Sequence, residues 1–446
     1  MSGWRTLVLV GSLAWAGCQR APSSSEAAPV VVPARAVAVS SPASSSPAST
    51  LNAANAPSRA AGPVAVPSPL TPVAPEPAPA SSSSPSNAAG RSQRKAPLEV
   101  CRAEGDPLSA AREAYDDGRL EEALSCAAQA AAFFPELPDA HSERGAALSA
   151  LGRFEEAQLA YARALALRPD HPDALLGAAH LYVVSLPSSR EHDELGALYA
   201  DRGFSVALAH EDDRLLSQFA LVSAMAFNDL GRSADALERA DEVLKLEPKN
   251  RDARYERAVA LFELCRFSDA RAAFTSLLAD PDRGAHAHHH LGLLLEREGR
   301  TAEAERHFAA ARKRAPEDFT PPQEMTADEF RAEVARAVAE LPEDMRRDLV
   351  GVTVAAEELP LEEDLLGGEP PLSPTILGLF RGPPLGESCE GVIGQPCRSV
   401  ALYRKNLARA VRSREELLEQ IRVTLLHEVG HLRGEDDHEL AARGLE

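Results

Sequence analysis

The feature that most limits what this chain can fold into is a repeat with a period of 34. The segments GRLEEAL (118–124), GRFEEAQ (152–158), GRSADAL (231–237), CRFSDAR (265–271) and GRTAEAE (299–305) align, with spacings of 34, 79, 34 and 34 between their first residues. Each leads into an apolar stretch that closes near a proline: Pro135, Pro169, Pro248, Pro281 and Pro316. Ala123, Ala157, Ala236, Ala270 and Ala304 share one small position, and Tyr161, Phe274 and Phe308 share a large one further on. A unit of this length cannot bury a core alone, so neighbouring units must stack. The spacing of 79 leaves room for one expanded, irregular unit at about 172–216. Six units predict about a dozen helices.

The period, the turn glycine and the small and large positions resemble the tetratricopeptide repeat. That resemblance implies a right-handed, all-α superhelix over residues 104–318, with a concave groove that binds a peptide or protein partner. The array itself offers no chemistry, and a structural spacer is the alternative use. His286, His288, His289 and His290 (AHAHHH) fall in the first helix of the last unit. His286 and His290 have chelating spacing, but a solvated helix face is the expectation there.

The formal net charge is −20, and no basic face is evident to neutralise phosphates, which argues against a nucleic-acid partner. Residues 1–18 read as an export signal: Arg5, then an apolar run from Thr6 to Gly17 too short to span a bilayer. Ala16-Gly17-Cys18 resembles a bacterial lipobox, with Trp15 departing from the usual leucine. By that resemblance Cys18 becomes lipidated, and Gln19 after it points to the outer membrane. Membrane attachment is then through a lipid anchor only. Residues 19–97 are rich in Ala, Pro and Ser, cannot bury a core, and are expected to form a disordered tether.

The pattern changes after Pro321-Pro322. Residues 326–342 predict a helix capped by Thr326 with Glu329 at the capping-box position. Residues 351–359, 375–385 and 399–409 predict strands, with an acidic loop after the first. Residues 413–434 predict one long helix, capped by Ser413 with Glu416 in the box position; Leu417, Ile421, Leu425 and Val429 form its apolar stripe. This helix carries His427-Glu428-x-x-His431-x-x-Gly434-x-x-Asp437. Side chains four apart on a helix share a face, so both imidazoles can reach one metal ion. Glu428 stands where the general base for a metal-bound water must stand. Gly434 can take positive φ, stop the helix and turn the chain back, bringing Asp437 up as a third ligand. Asp436 and His438 are rival third ligands; spacing favours Asp437.

ILGLFRGPPL (376–385), VALYRKNL (400–407) and the histidine helix together resemble the small bacterial zincin-like metallopeptidases. The resemblance covers residues 325–446 and implies a small α+β domain. Zn²⁺ would be held by His427, His431 and Asp437, with Glu428 as catalytic base. It also implies a sheet edge above the metal that pairs with an extended substrate, a part that suits 399–407. Leu432 and Arg433 replace a histidine and an aromatic common in the family. Arg433 near a dication would weaken metal binding or hold a substrate carboxylate. Cys389 and Cys397 bracket a loop that a disulfide would close, Cys101 and Cys126 are a further possible pair, and Cys265 is then left free. The chain reads as an exported, multidomain zinc peptidase with a recruiting array. A lipoprotein scaffold with a structural metal is the alternative.

Overall fold

The computed structural model describes residues 101, 105–389 and 397–445. The expectations placed on residues 1–97, namely the export signal, Cys18 lipidation and the tether, lie outside the described residues. Six helix pairs run in order: α1 (Pro107–Asp116) with α2 (Leu120–Phe133), α3 (Pro138–Ala150) with α4 (Phe154–Leu167), and α5 (Pro172–His180) with α6 (Arg190–Ala209). α7 (Asp213–Asp229) pairs with α8 (Ser233–Leu246), α9 (Arg251–Glu263) with α10 (Phe267–Leu277), and α11 (Gly284–Arg297) with α12 (Thr301–Arg314). The third pair is the expanded unit, in which α5 runs on through a π-helical turn, Leu181–Ser185, before the longer α6 begins.

The turn inside each pair explains the repeated glycine. Gly118, Gly152, Gly231 and Gly299 have φ between 70° and 75°, a region that costs other residues a Cβ clash. Cys265 occupies the equivalent position and takes φ 56° despite its side chain. The repeated alanines are all buried, as are Tyr161, Phe274 and Phe308, so the small position lets helices close while the large one fills the gap.

The second part holds α13 (Ala327–Glu340), α14 (Glu343–Asp348), β1 (Thr353–Glu357), α15 (Glu362–Leu365), β2 (Gly378–Arg381), β3 (Ser399–Tyr403), α16 (Arg404–Ala410), α17 (Arg414–Arg433) and α18 (Asp437–Ala442). Thr326 and Glu329 form the expected capping box on α13. The strand expected over 399–409 ends at Tyr403, and the remainder turns into α16. The acidic loop contains the single-turn α15. The sheet order is β1-β3-β2, with β1 parallel to β3 and β2 antiparallel to it. The 399–403 strand is therefore central, and the edge assigned to it belongs to β2. Leu417, Ile421, Leu425 and Val429 of α17 pack with Phe330 and Val334 of α13 and with Val400 and Leu402 of β3.

The two parts touch. Cys265 and Phe267 of the array pack with Leu365, Leu372, Ile376, Leu379, Ala401 and Tyr403. The Cys265 thiol donates to the Leu372 carbonyl at 3.6 Å. Glu296 on α11 binds Lys405 at 3.4 Å and Arg409 at 2.5 Å. The structure also bridges Cys101 to Cys126 and Cys389 to Cys397, with Cα atoms 4.7 and 5.9 Å apart, while Cys265 is free and buried.

Candidate metal centre

α17 is held at both ends. Ser413 Oγ accepts from the Glu416 N–H at 3.1 Å, and the Glu416 carboxylate accepts from the Arg412 N–H at 2.7 Å. At the far end Gly434 has φ 92°, and its N–H returns to the His431 carbonyl at 2.9 Å. The chain then turns, Asp436 caps α18 in a reciprocal box with Glu439, and Asp437 is carried back over α17. Asp436 is thereby committed to the cap, and His438 is exposed.

His427 Nδ1 lies 2.7 Å from the Leu445 carbonyl, and His431 Nδ1 lies 3.0 Å from the Glu435 carbonyl. A carbonyl only accepts, so each Nδ1 carries the proton and each Nε2 presents a lone pair. The two Nε2 atoms are 3.0 Å apart, and Asp437 Oδ1 is 3.6 Å from the first and 3.3 Å from the second. A tetrahedral ion with bonds of about 2.0–2.1 Å holds its ligand atoms about 3.3–3.4 Å apart, so this triangle is the right size. Three acceptors facing one another repel unless a cation or proton lies between them, and Asp437 Oδ1 is buried without a donor. Among the described residues, His427, His431 and Asp437 are the three-ligand group that meets in this way.

Burial pulls the His427 pKa down, which favours the neutral ring. Burial acts most strongly on His431 and lowers its pKa, yet Asp437, Glu428 and the Glu435 carbonyl together outweigh it and raise the value. Glu428 is 2 % exposed, and its Oε2 has no partner. Burial pushes its carboxyl up to about 7, opposed by His431 and by a hydrogen bond from the Phe380 N–H. That bond comes from the free edge of β2. The Tyr403 N–H bonds the Leu377 carbonyl, so alternate β2 residues, Gly378 and Phe380, turn their backbone groups away from β3. A Cβ at Gly378 would lie 2.7 Å from Thr424 Cγ2 and 2.8 Å from Glu428 Oε1, so only glycine lets the strand approach α17 this closely. The pattern at 376–385 marked this segment, but the sequence did not show that it is the edge over the motif.

Arg433 is not at the metal triangle in either of the expected roles. Its guanidinium is held by Asp344 at 2.7 Å and Asp348 at 2.6 Å, tying the end of α17 to α14. The histidines of 286–290 do not form a solvated face. His286 is buried, His290 stacks on Phe274 at 4.5 Å, and His289 stacks on Phe319 at 4.7 Å, because the inner side of the last unit faces the second part of the chain.

A two-histidine helix and a carboxylate thus lie beneath a sheet edge and could hold a metal ion, in a domain joined to a helical-repeat array. Residues 349–445 match the zincin-like metallopeptidase family, and residues 138–171 and 228–294 match tetratricopeptide-repeat families. The chain thus carries tetratricopeptide repeats and a zincin-like metallopeptidase domain. No curated protein matches it. Among solved structures it is similar to YrrB, a repeat protein described with an unusual peptide-binding site: 18% identity, 43% of this chain and 92% of that one, TM-score 0.35. It is also similar to pilF of Pseudomonas aeruginosa, at 16% identity, 51% and 96% coverage and TM-score 0.39. A tetratricopeptide repeat protein of Parabacteroides merdae matches at 17% identity, 47% and 77% coverage and TM-score 0.34.

Proposed function

We propose that this chain is a zinc-dependent peptidase of the bacterial cell envelope whose repeat array recruits the peptide or protein to be cut. The observation that carries the reading is the meeting of His427 Nε2, His431 Nε2 and Asp437 Oδ1 beside the buried Glu428. Zinc, when bound there, supplies polarisation of the scissile carbonyl and acidifies water. Glu428 takes the proton of the attacking water and passes it to the leaving amine. A carboxyl already pushed up to about 7 by burial is matched to proton transfer near neutrality, although a neighbouring dication acts in the opposite direction. Gly378 and Phe380 offer the substrate backbone an edge to pair with, which aligns one peptide bond over the site. In the same reading, residues 1–18 are a lipoprotein signal, Cys18 is the lipidated residue, 19–97 is the tether, 104–318 the array and 325–446 the catalytic domain.

The test is metal analysis of the purified full chain, paired with peptide-library cleavage by wild type and Glu428→Gln. One zinc per chain in both proteins, with cleavage only in wild type, is the expected result. Equal cleavage by the two removes Glu428 as base. Zinc bound without any cleavage leaves the site structural and the chain a scaffold. Mass spectrometry of the mature N-terminus, with Cys18→Ser as control, tests the anchor.

A further inference from the structure

Between the inner side of the last array units and the zincin-like domain lies a cavity of about 1230 Å³. That exceeds the roughly 300–1,000 Å³ of an ordinary small-molecule site and has room for a stretch of polypeptide. Its array wall is electronegative in a specific way. Asp229 is the last residue of α7, where the helix dipole is negative, and its charged neighbours are the carboxylates Glu256 and Asp193. No hydrogen bond or ion pair engages it among the described residues, and burial and those like charges hold its carboxyl well above the usual range. Five of the six Lys and Arg side chains lining the cavity have carboxylate partners: Arg283 with Asp252, Arg312 with Glu305, Arg404 with Glu358, and Arg409 and Lys405 with Glu296.

Beside Asp229, Asn228 is 7 % exposed. Its amide nitrogen donates to the Glu256 carbonyl at 3.0 Å and carboxylate at 2.9 Å, and its Oδ1 is buried with no donor. A buried acceptor without a donor is costly unless a ligand brings one, and the half-buried carboxylate of Asp229 stands beside it. Tyr255 and Phe262 line the same cavity and pack edge-on against His290, with ring centroids 6.2 and 5.4 Å from it. Across the cavity Arg409 Nη1 is a buried donor without a partner. Leu377, three residues before Phe380, lines the same space, so the cavity leads to the start of the β2 edge.

We infer that this cavity recognises a basic side chain, Lys or Arg, of an extended peptide. Asp229 and Asn228 Oδ1 receive the ammonium or guanidinium, Tyr255 and Phe262 line its aliphatic stem, and Arg409 donates to a peptide carbonyl. The inference deepens the peptidase reading by naming a substrate class, and it rests on that reading only for what happens to the peptide once bound.

The probe is a set of fluorescein-labelled alanine-rich decapeptides that differ at one central position: Lys, Arg, norleucine, Gln or Glu. Anisotropy is measured on the full chain carrying Glu428→Gln, so that no peptide is consumed. The Lys and Arg peptides are expected to bind at least about tenfold tighter than norleucine, and Asp229→Asn to abolish that preference. Asp229→Asn removes a half-buried carboxylate flanked by the like charges of Glu256 and Asp193, so its thermal midpoint is expected to stay level or rise. Equal affinity for Lys and norleucine overturns the inference whatever the variant does, and so does a Lys preference that survives Asp229→Asn. A Lys preference without zinc-dependent cleavage by wild type would sink the peptidase reading and leave the recognition site standing. Cleavage without a Lys preference would do the reverse.

Discussion

Gly378→Ala is the sharpest test of how the edge strand and the motif helix are built together. The added methyl would sit 2.7 Å from Thr424 Cγ2 and 2.8 Å from Glu428 Oε1, both closer than real Cβ contacts allow. Neither side yields easily. Gly378 pairs with Leu402 across the sheet, and Thr424 and Glu428 lie on a helix whose Leu425 and Val429 are fully buried. Overpacking of this kind costs about 1–3 kcal/mol. The softest adjustment is a swing of the Glu428 carboxylate, which breaks its bond to the Phe380 N–H. Misplacing a catalytic group by about 1 Å lowers the rate roughly a hundredfold. The assays are urea unfolding of the full chain, zinc content, and kcat and KM on the best substrate from the library. The expected outcome is one zinc per chain, a midpoint loss matching about 1–3 kcal/mol, and a fall in kcat rather than a rise in KM. Thr424→Ser, which deletes the clashing methyl, should recover part of the stability in the double variant. If Gly378→Ala unfolds at the wild-type urea concentration and keeps full kcat, then β2 does not press on α17 and the edge-strand argument falls.

Further outcomes follow from other parts of the site. Asp437→Ala should abolish the rise in thermal stability on adding zinc, which is worth about 2.7 kcal/mol at a hundredfold excess over Kd. Asp436→Ala should instead cost about 1 kcal/mol through loss of the α18 cap and leave zinc binding intact, and the reverse pattern would exchange their roles. In chelator-treated protein the Glu428 pKa of about 7 lies above the ordinary 4.5, so the folded state binds the extra proton. Stability from this group is therefore full below about 4.5 and declines by up to about 3 kcal/mol as pH rises through 7. Glu428→Gln should remove that slope in pH-dependent urea titrations, and an unchanged slope would assign it to another group. Cys265→Gly should relieve about 1–2 kcal/mol of left-handed strain in the turn while loosening the packing on Leu372. Faster amide exchange around Leu372, with none in α9 and α10, is the expected signature, and protection unchanged at Leu372 would count against Cys265 as a docking residue.

The sequence made the array legible because its constraints are local and repeated. A positive φ every 34 residues selects glycine, and one close helix contact per unit selects alanine, so the six pairs could be counted before any packing was known. The meeting of His427, His431 and Asp437 was legible for the same reason: helix geometry sets His427 against His431, and Gly434 sets the turn that returns Asp437. What failed depended on what lies opposite a residue. Spacing places His289 and His290 on a helix, but Phe274 and Phe319, which cover them, come from other turns of the chain. Arg433 read as a neighbour of the metal because Asp344 and Asp348 are remote in sequence. The edge strand was misassigned because strand order is decided by which partner each strand finds, and β3 finds both.

Cys265 has one more implication, for how such a chain changes in length. The direct contacts between array and domain among the described residues include those of Glu263, Cys265, Phe267, Glu296, Arg297 and Phe308, all in the last two units. The first three units make none of them and do not line the cavity, whose array wall starts at α7. Helix pairs can therefore be inserted or deleted ahead of α7 while the docked end keeps its register. The array can act as a ruler graduated from its docked end: selection can lengthen or shorten its reach without disturbing the geometry around His427, His431 and Asp437.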